Sequence, residues 1–138
     1  MSATDLIGGL AQAAGSDALI SDPERTAPML RDHRSLYRGQ ALAVVAPADT
    51  AAVARVVAWC NEHRVGVVPQ GGNTSYCGGA TPDASGTQVL LSLARLNRVR
   101  AVDAANYTLV AEAGCILEKL QAVAAEADRY LPLSLGSE

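Results

Sequence analysis

Residues 41–72, ALAVVAPADTAAVARVVAWCNEHRVGVVPQGG, decide the fold class. The short apolar run at 41–46 ends at a proline, which is typical of a strand buried on both faces. Asp49 can cap the next segment, whose apolar residues recur at the three- and four-residue spacing of an amphipathic helix. The apolar stripe of this helix consists of Val53, Val56, Val57 and Cys60. Gly66 ends the helix and a second apolar run begins at residue 67, so the stretch predicts a strand–helix–strand unit.

The segments on both sides continue the alternation of helices and strands. They predict a helix at 5–14, strands at 88–93, 98–103 and 107–113, and a helix after Gly114, and they allow a short helix near 24–30. The last helix has an apolar stripe formed by Ile116, Leu120, Val123 and Ala127. We therefore expect an α+β (α/β-like) fold in which a small sheet is flanked by helices.

The composition excludes several classes of protein. The chain has 138 residues, of which 49% are hydrophobic and 18% charged, so it is neither disordered nor large enough for two ordinary domains. A net charge of -3 argues against a nucleic-acid partner, and no apolar run reaches the roughly 18 residues of a membrane span. Cys60, Cys77 and Cys115 form no CxxC pair, and no secretory signal precedes them. These features predict reduced thiols and a cytoplasmic protein.

The sequence PQGGNTSYCGGATP at 69–82, which we call the glycine loop, contains two glycine pairs. Clustered glycines let successive backbone amides form a concave set of N–H donors that suits phosphate oxygens. Asn73, Thr74 and Ser75 add short polar side chains that can donate to the same anion. Because the loop contains no lysine or arginine, we expect binding through oriented dipoles.

The glycine loop matches neither common nucleotide motif. It lacks the Gly-Lys-Ser/Thr end of the Walker pattern, and no long helix follows Gly79 as the Rossmann fingerprint requires. On the residues alone, a phosphate cradle and a glycine-rich surface turn without a ligand both remain open.

Three strings carry a resemblance to a known family. They are PQGGNTSYCGGATP, LSLARLNRVRAVD and NYTLVAEAGCILEKLQ. In order and spacing they resemble FAD-linked oxidases of the vanillyl-alcohol-oxidase type, above all the branch of D-2-hydroxyglutarate dehydrogenases and D-lactate and glycolate oxidases. The resemblance runs from about Arg31 to the last residue and implies the first half of a PCMH-type FAD-binding domain. We therefore expect residues 1–138 to be the N-terminal portion of that domain, with its remainder and a substrate domain absent.

The resemblance also implies roles for individual residues. It implies contacts to the FAD diphosphate from Gln70, Gly71, Gly72, Asn73, Thr74 and Ser75. It implies that the backbone passes near the flavin at Gly78 and Gly79. It also implies that the isoalloxazine and ribityl end is approached by Pro132, Leu135, Gly136 and Ser137. It implies no catalytic residue and no metal ligand in this chain. Some relatives bind flavin covalently through a histidine after the first glycine pair; Asn73 stands there, so we expect noncovalent FAD.

The function implied by the resemblance is that of a flavin-dependent dehydrogenase acting on a small 2-hydroxy acid of D configuration. This chain would hold the FAD diphosphate while the cofactor performs the redox step. The alternative is a noncatalytic phosphate-ligand or interaction module. We expect the chain alone to bind FAD weakly, to show no turnover, and to self-associate through an exposed apolar edge.

Overall fold

The computed structural model describes residues 2–136. Its helices are α1 (Ala3–Ala14), α2 (Pro23–Thr26), α3 (Thr50–Glu62) and α4 (Leu117–Glu126), with a 3-10 helix at Ala27–Leu30. Its strands are β1 (Leu19–Ile20), β2 (Ala43–Val45), β3 (Val67–Gln70), β4 (Val89–Ser92), β5 (Val99–Asp103) and β6 (Thr108–Ala111). The predicted α+β fold with helices and small sheets is confirmed.

The first sheet has the strand order β1-β2-β4-β3. Strand β4 is parallel to both β2 and β3, with Leu90 opposite Val44 on one side and Val68 on the other. The predicted strand–helix–strand unit is therefore present, but its two strands are separated by β4. Because β3 lies at the edge of the sheet, Pro69 can occupy it although proline has no N–H to donate.

Helix α3 begins as predicted, and its buried face differs from the predicted stripe. The Asp49 carboxylate accepts a hydrogen bond of 2.7 Å from the backbone N–H of Ala52, which caps the helix. The buried residues are Ala52, Val56 and Cys60, whereas Val57 is 46% exposed. The helix ends at Glu62 because Arg64, and not Gly66, adopts the left-handed backbone conformation, with φ of 54°.

Helix α1 packs against α3 and against strand β2 of the sheet. Ser2 and Asp5 form a capping box, in which the Ser2 hydroxyl accepts from the Asp5 N–H and the Asp5 carboxylate accepts from the Ser2 N–H. Gly15 ends the helix with φ of 98°. The Arg55 side chain of α3 donates to the carbonyl of Ala13 at 3.0 Å, which joins the two helices. The predicted helix at 5–14 is confirmed and begins two residues earlier.

The core lies between these two helices and the sheet. Alanine, valine and leucine fill it, as expected for a chain without phenylalanine. Its buried members are Leu10, Ala14, Ala18, Ala43, Val45, Val56, Cys60, Val89 and Leu91. No helix within residues 2–136 is long and apolar enough to cross a membrane.

Strands β5 and β6 form the predicted antiparallel hairpin, which α4 follows. This part of the chain has few buried side chains: in α4 only Ala124 is buried, and Ile116 is 71% exposed. The predicted stripe of α4 is thus wrong at Ile116, while Leu120, Val123 and Ala127 are partly buried. Periodicity identifies the residues that share a helix face but not how deeply each of them is buried.

Candidate functional site

A cleft of about 440 Å³ lies where the parallel strands β3 and β4 end. Gln70, the last residue of β3, and Ser92, the last residue of β4, both line this cleft. Ligands of open α/β sheets characteristically bind at this carboxyl edge. The other lining residues are Pro28, Met29, Arg31, Asp32, His33, Ser35, Gly71, Gly72, Asn73 and Ala94. We call it the glycine cleft.

The first glycine pair faces open space. Neither Gly71 nor Gly72 has a positive φ, so the backbone does not require glycine at either position. A Cβ added to Gly71 would meet nothing within 4 Å, and one added to Gly72 would meet only the methyl group of Thr74 at 3.8 Å. Glycine costs conformational entropy, and no contact within the protein offsets that cost here. The space beside this backbone is open to a ligand, which fits a cofactor diphosphate held by main-chain amides.

In the second glycine pair, the structure requires glycine at one position and leaves open space at the other. Gly78 has φ of 72°, and a Cβ there would lie 2.9 Å from atoms of the Tyr37 ring, so both backbone and packing require glycine. A Cβ at Gly79 would meet nothing within 4 Å. Neither residue lines the glycine cleft.

Gln70 closes the glycine loop at its base. Its side chain is buried, and Nε2 donates to the carbonyls of Met29 and Ala80, each at 2.8 Å. Both amide hydrogens are thereby used, so this side chain holds the two ends of the loop together and has no N–H left for a ligand. The contact between Gln70 and a diphosphate stays a prediction. Because both Nε2 hydrogens are engaged, the side-chain amide N–H groups do not make that contact.

Asn73 joins the loop to the segment before β2 and leaves one acceptor without a partner. Its Nδ2 donates to the carbonyls of Arg31 at 2.8 Å and Pro28 at 3.2 Å, and its backbone has φ of 55°. Its Oδ1 is buried and has no hydrogen-bond partner within the described residues. Since buried acceptors are nearly always paired, Oδ1 can accept from a ligand donor such as a hydroxyl.

Thr74 and Ser75 lie outside the lining of the glycine cleft. Thr74 is exposed, and the Ser75 hydroxyl accepts from the backbone N–H of Cys77 at 3.3 Å. Of the six residues assigned to the diphosphate by resemblance, the structure therefore brings Gln70 to Asn73 together in the cleft and leaves these two beside it.

No sequence pattern indicated three further lining residues of the cleft, Arg31, Asp32 and His33. Asp32 is buried; burial raises its pKa, but backbone N–H donors, above all that of Tyr37 at 2.6 Å, hold the pKa below its usual value. Among residues 2–136, the Arg31 side chain has no hydrogen-bond or ion-pair partner. Arg31 therefore places a cationic residue in the lining of the cleft, and the expectation of binding by dipoles alone stays a prediction. Because about 40 residues separate this segment from the glycine loop along the chain, no local motif indicates that they meet.

The described residues of the predicted second part do not line the glycine cleft, and their assignment to the isoalloxazine and ribityl end stays a prediction. Pro132, Leu135 and Gly136 are exposed and do not line the cleft, and Ser137 lies outside the described residues. The tail runs beside α4, where Gln121 Nε2 donates to the carbonyl of Leu133 at 2.7 Å. Over residues 2–136, no three His, Cys, Asp or Glu side chains gather in a way that could hold a metal ion.

Curated relatives align with most of the chain. It is 36% identical over 120 residues to the mitochondrial D-2-hydroxyglutarate dehydrogenase of Bos taurus, which covers 87% of this chain and 22% of that protein. It is 33% identical over 124 residues to a probable mitochondrial D-2-hydroxyglutarate dehydrogenase of Oryza sativa subsp. indica, with 90% of this chain and 22% of that protein covered. The chain thus spans about a fifth of the length of these relatives.

These relatives also correct the predicted location. The prediction of a cytoplasmic protein relied on free cysteines and on the absence of a secretory signal, and the three cysteines are indeed free. The cattle and rice relatives are nevertheless named as mitochondrial enzymes, as is the one from Arabidopsis thaliana. The cytoplasmic assignment is therefore wrong, because reduced thiols and a missing secretory signal do not distinguish among intracellular compartments.

Solved structures of low sequence identity share the fold. An alkyldihydroxyacetonephosphate synthase matches with a TM-score of 0.79 at 19% identity, covering 91% of this chain and 25% of that one. A p-cresol methylhydroxylase with bound substrate matches with a TM-score of 0.78 at 22% identity, covering 97% of this chain and 26% of that one. At these identities the likeness concerns the fold, which is that of PCMH-type domains.

The family follows from a match to most of the chain. A family model described as FAD binding domain matches residues 41–138, which include β2 to β6, α3, α4 and the whole glycine loop. This match agrees with the open space at the first glycine pair and with the resemblance of the glycine loop to FAD-linked oxidases. The chain belongs to the family of FAD binding domains, and over most of its length it is similar to the N-terminal part of D-2-hydroxyglutarate dehydrogenases.

Proposed function

We propose that the glycine cleft binds the diphosphate of FAD, with the main-chain amides around Gly71, Gly72 and Asn73 as its principal donors. The observation that carries the proposal is the open space at Gly71 and Gly72, where neither backbone conformation nor packing accounts for glycine. Oxygens of a diphosphate accept hydrogen bonds from such amides only if no side chain keeps them apart. Thr74, Ser75 and Gly79 would contribute at the exposed rim of the same loop.

Charge in the cleft supports an anionic ligand. The Arg31 guanidinium is available, while the negative charge of Asp32 is already stabilised by the backbone N–H groups of Arg34 and Tyr37. Charge-assisted hydrogen bonds are about twice as strong as neutral ones, so Arg31 would add to the amides of the loop. The unpaired Oδ1 of Asn73 suits a hydroxyl of the sugar or ribityl part, because a phosphate oxygen has no hydrogen to donate.

We further propose that FAD is held noncovalently and serves a dehydrogenase of D-2-hydroxy acids. Asn73 lacks the imidazole that forms a histidyl bond to flavin, and its Nδ2 is engaged by two carbonyls. Bound FAD would supply the redox chemistry by accepting a hydride from the substrate. The residues of this chain bind and orient it. The substrate class is inferred from relatives named as D-2-hydroxyglutarate dehydrogenases.

FAD titration of the purified protein, followed by flavin fluorescence up to millimolar FAD, tests the cradle. Gly72→Val should weaken binding at least about tenfold, or 1.4 kcal/mol, because its side chain fills the space proposed for the diphosphate. Gly8→Val is the matched control, since a Cβ at Gly8 also meets nothing within 4 Å but lies on α1, outside the cleft lining. Equal affinity of the Gly72→Val and Gly8→Val variants would refute the cradle.

Two further measurements test attachment and activity. After acid precipitation of the flavin-loaded protein, FAD should remain in the supernatant; flavin in the pellet would contradict noncovalent binding.

In the full-length protein, D-2-hydroxyglutarate or D-lactate should reduce a redox dye and the L isomers should not. Activity with neither D isomer would remove the proposed substrate class without affecting the cradle.

A further inference from the structure

The glycine loop has little hydrogen bonding of its own to set its shape. Within it, the only backbone–backbone hydrogen bond runs from the Thr81 N–H to the Gly78 carbonyl at 3.1 Å. Main-chain amides can bind a ligand tightly only if they are already held in place, because ordering them on binding costs affinity. Contacts outside the loop must therefore hold it in position. At the base of the loop, Gln70 donates to Met29 and Asn73 donates to Pro28.

The remaining contacts come from one short segment, residues 31–38, which we call the 31–38 turn. An isolated antiparallel bridge between Arg31 and Arg38 closes this turn. The Asp32 carboxylate fills its interior and accepts from the N–H groups of Arg34 at 3.0 Å and Tyr37 at 2.6 Å. The Asp32 N–H in turn donates to the Tyr37 carbonyl at 3.1 Å, so the position of Tyr37 is fixed from both sides.

The turn meets the glycine loop at three successive points. Asn73 Nδ2 donates to the Arg31 carbonyl, at the start of the loop. In the middle, the Tyr76 ring stacks on His33 with centroids 6.0 Å apart, and the Arg34 guanidinium lies 5.4 Å from the Tyr76 centroid. At the second glycine pair, the Tyr37 ring occupies the position that a side chain of residue 78 would need.

The contact between Tyr37 and Gly78 differs from the other two. Gly78 has φ of 72°, a conformation that glycine leaves as readily as it adopts it, so an external contact is needed to fix it there. The Tyr37 ring packs directly on this residue, whereas the rings of His33 and Tyr76 stack at a longer distance. Tyr37 is half exposed and outside the hydrophobic core, so its side chain contributes little to the core itself.

We infer that Tyr37 is a positioning residue: its ring packs on Gly78 and holds the glycine loop in the shape that presents the amides of Gly71 and Gly72 to the cleft. Tyr37 does not line the cleft. The aromatic ring, and not the hydroxyl, makes the contact. The effect on FAD rests on the proposed function, whereas the effect on loop order does not.

The test compares Tyr37→Ala with Tyr37→Phe by NMR order parameters and FAD titration, with Tyr130→Ala as control. Tyr130 is 86% exposed, follows α4, and lies outside both the glycine loop and the 31–38 turn. Tyr37→Ala should lower the order parameters of amides 71–79 from above about 0.8 to below about 0.6, with those of β4 unchanged. It should weaken FAD binding at least about tenfold. Tyr37→Phe should restore both properties to the wild-type values.

The outcomes separate the inference from the proposed function. Unchanged order parameters in Tyr37→Ala overturn the inference, as does a disordered loop that still binds FAD with wild-type affinity. If wild-type protein binds no FAD even at millimolar concentration, the proposed function fails and the order parameters alone decide the role of Tyr37. If Tyr37→Ala does not fold, as judged by the amide spectrum of β4, the ring has a structural role in the whole domain and the inference is also wrong.

Discussion

The four-stranded sheet and the β5–β6 hairpin are stabilised in different ways. Leu90 and Val45 in the sheet are completely buried, whereas Val102 and Val110 in the hairpin are 40% and 53% exposed. The sheet is covered by α1 and α3, and its stability comes from apolar burial. The hairpin leaves apolar side chains in solvent and depends on polar contacts at its base. The four-stranded sheet therefore has a complete hydrophobic core, and the β5–β6 hairpin of the same chain does not.

The polar contacts of the hairpin converge on Glu112, directly after β6. Its buried carboxylate accepts from the Arg98 backbone N–H and side chain, at 3.0 to 3.2 Å, and from the Arg100 side chain at 3.2 Å. Arg100 also donates to the hydroxyl of Thr50 at the start of α3, at 2.9 Å. Glu112 thus connects the two strands of the hairpin with the helix that covers the sheet.

The largest expected effect on stability distinguishes the two regions directly. Leu90→Ala removes a buried side chain from the central strand and should lower the free energy of unfolding by about 2–5 kcal/mol. Val110→Ala, in the exposed hairpin, should change it by less than about 0.5 kcal/mol. Urea unfolding followed by circular dichroism measures both. A comparable loss for the two variants would show that the hairpin has a core of its own.

The sequence predicted the regions unequally, for a physical reason. Strands β2 and β4 and the Asp49 cap were predictable because neighbouring residues decide them. The exposure of Val57 and of Ile116 was not, because periodicity cannot show which positions of a helix another element covers.

For the candidate site, the open first glycine pair was predictable from the clustering of glycine in the loop. The side-chain anchors of Gln70 and Asn73, and the approach of Arg31, depend on contacts between residues about 40 apart. Such pairings are set by the fold as a whole and leave no local signal.

An intermediate effect concerns pH and the hairpin. Hydrogen bonds from Arg98 lower the pKa of Glu112 from about 4.5, the value of a free side chain, to about 2. The Arg98 side chain has the largest effect, followed by the Arg98 backbone N–H. Because the folded pKa is depressed, the stabilisation is fully present above about pH 4.5 and is lost as the pH falls toward about 2. Glu112→Gln should remove this contribution at neutral pH and flatten the acid dependence of stability between these limits.

The control for this prediction is Glu118→Gln, which removes an exposed carboxylate from the first turn of α4. Several aspartates with lowered pKa values, including Asp17 and Asp32, also contribute to acid sensitivity, so the difference between wild type and variant is the quantity to measure. Denaturant titrations from pH 2 to pH 7 provide it. Parallel curves for wild type and Glu112→Gln would mean that Glu112 does not stabilise the hairpin through its charge.

The smallest expected effect on stability comes from a substitution at an exposed position of the hairpin. The same substitution tests self-association. Val110 on β6 is 53% exposed, and exposed apolar side chains favour contact between molecules. Val110→Lys should leave the free energy of unfolding within about 0.5 kcal/mol of wild type, because a lysine at an exposed position keeps its charge in water. The same charge should oppose the close approach of two hairpins and shift the weight-average mass toward monomer in sedimentation equilibrium. Val57→Lys, which changes an equally exposed valine on α3, is the matched control and should not alter association. If both variants reduce self-association equally, net charge determines association and Val110 does not. If wild type is monomeric at every concentration, Val110 does not bind a second copy.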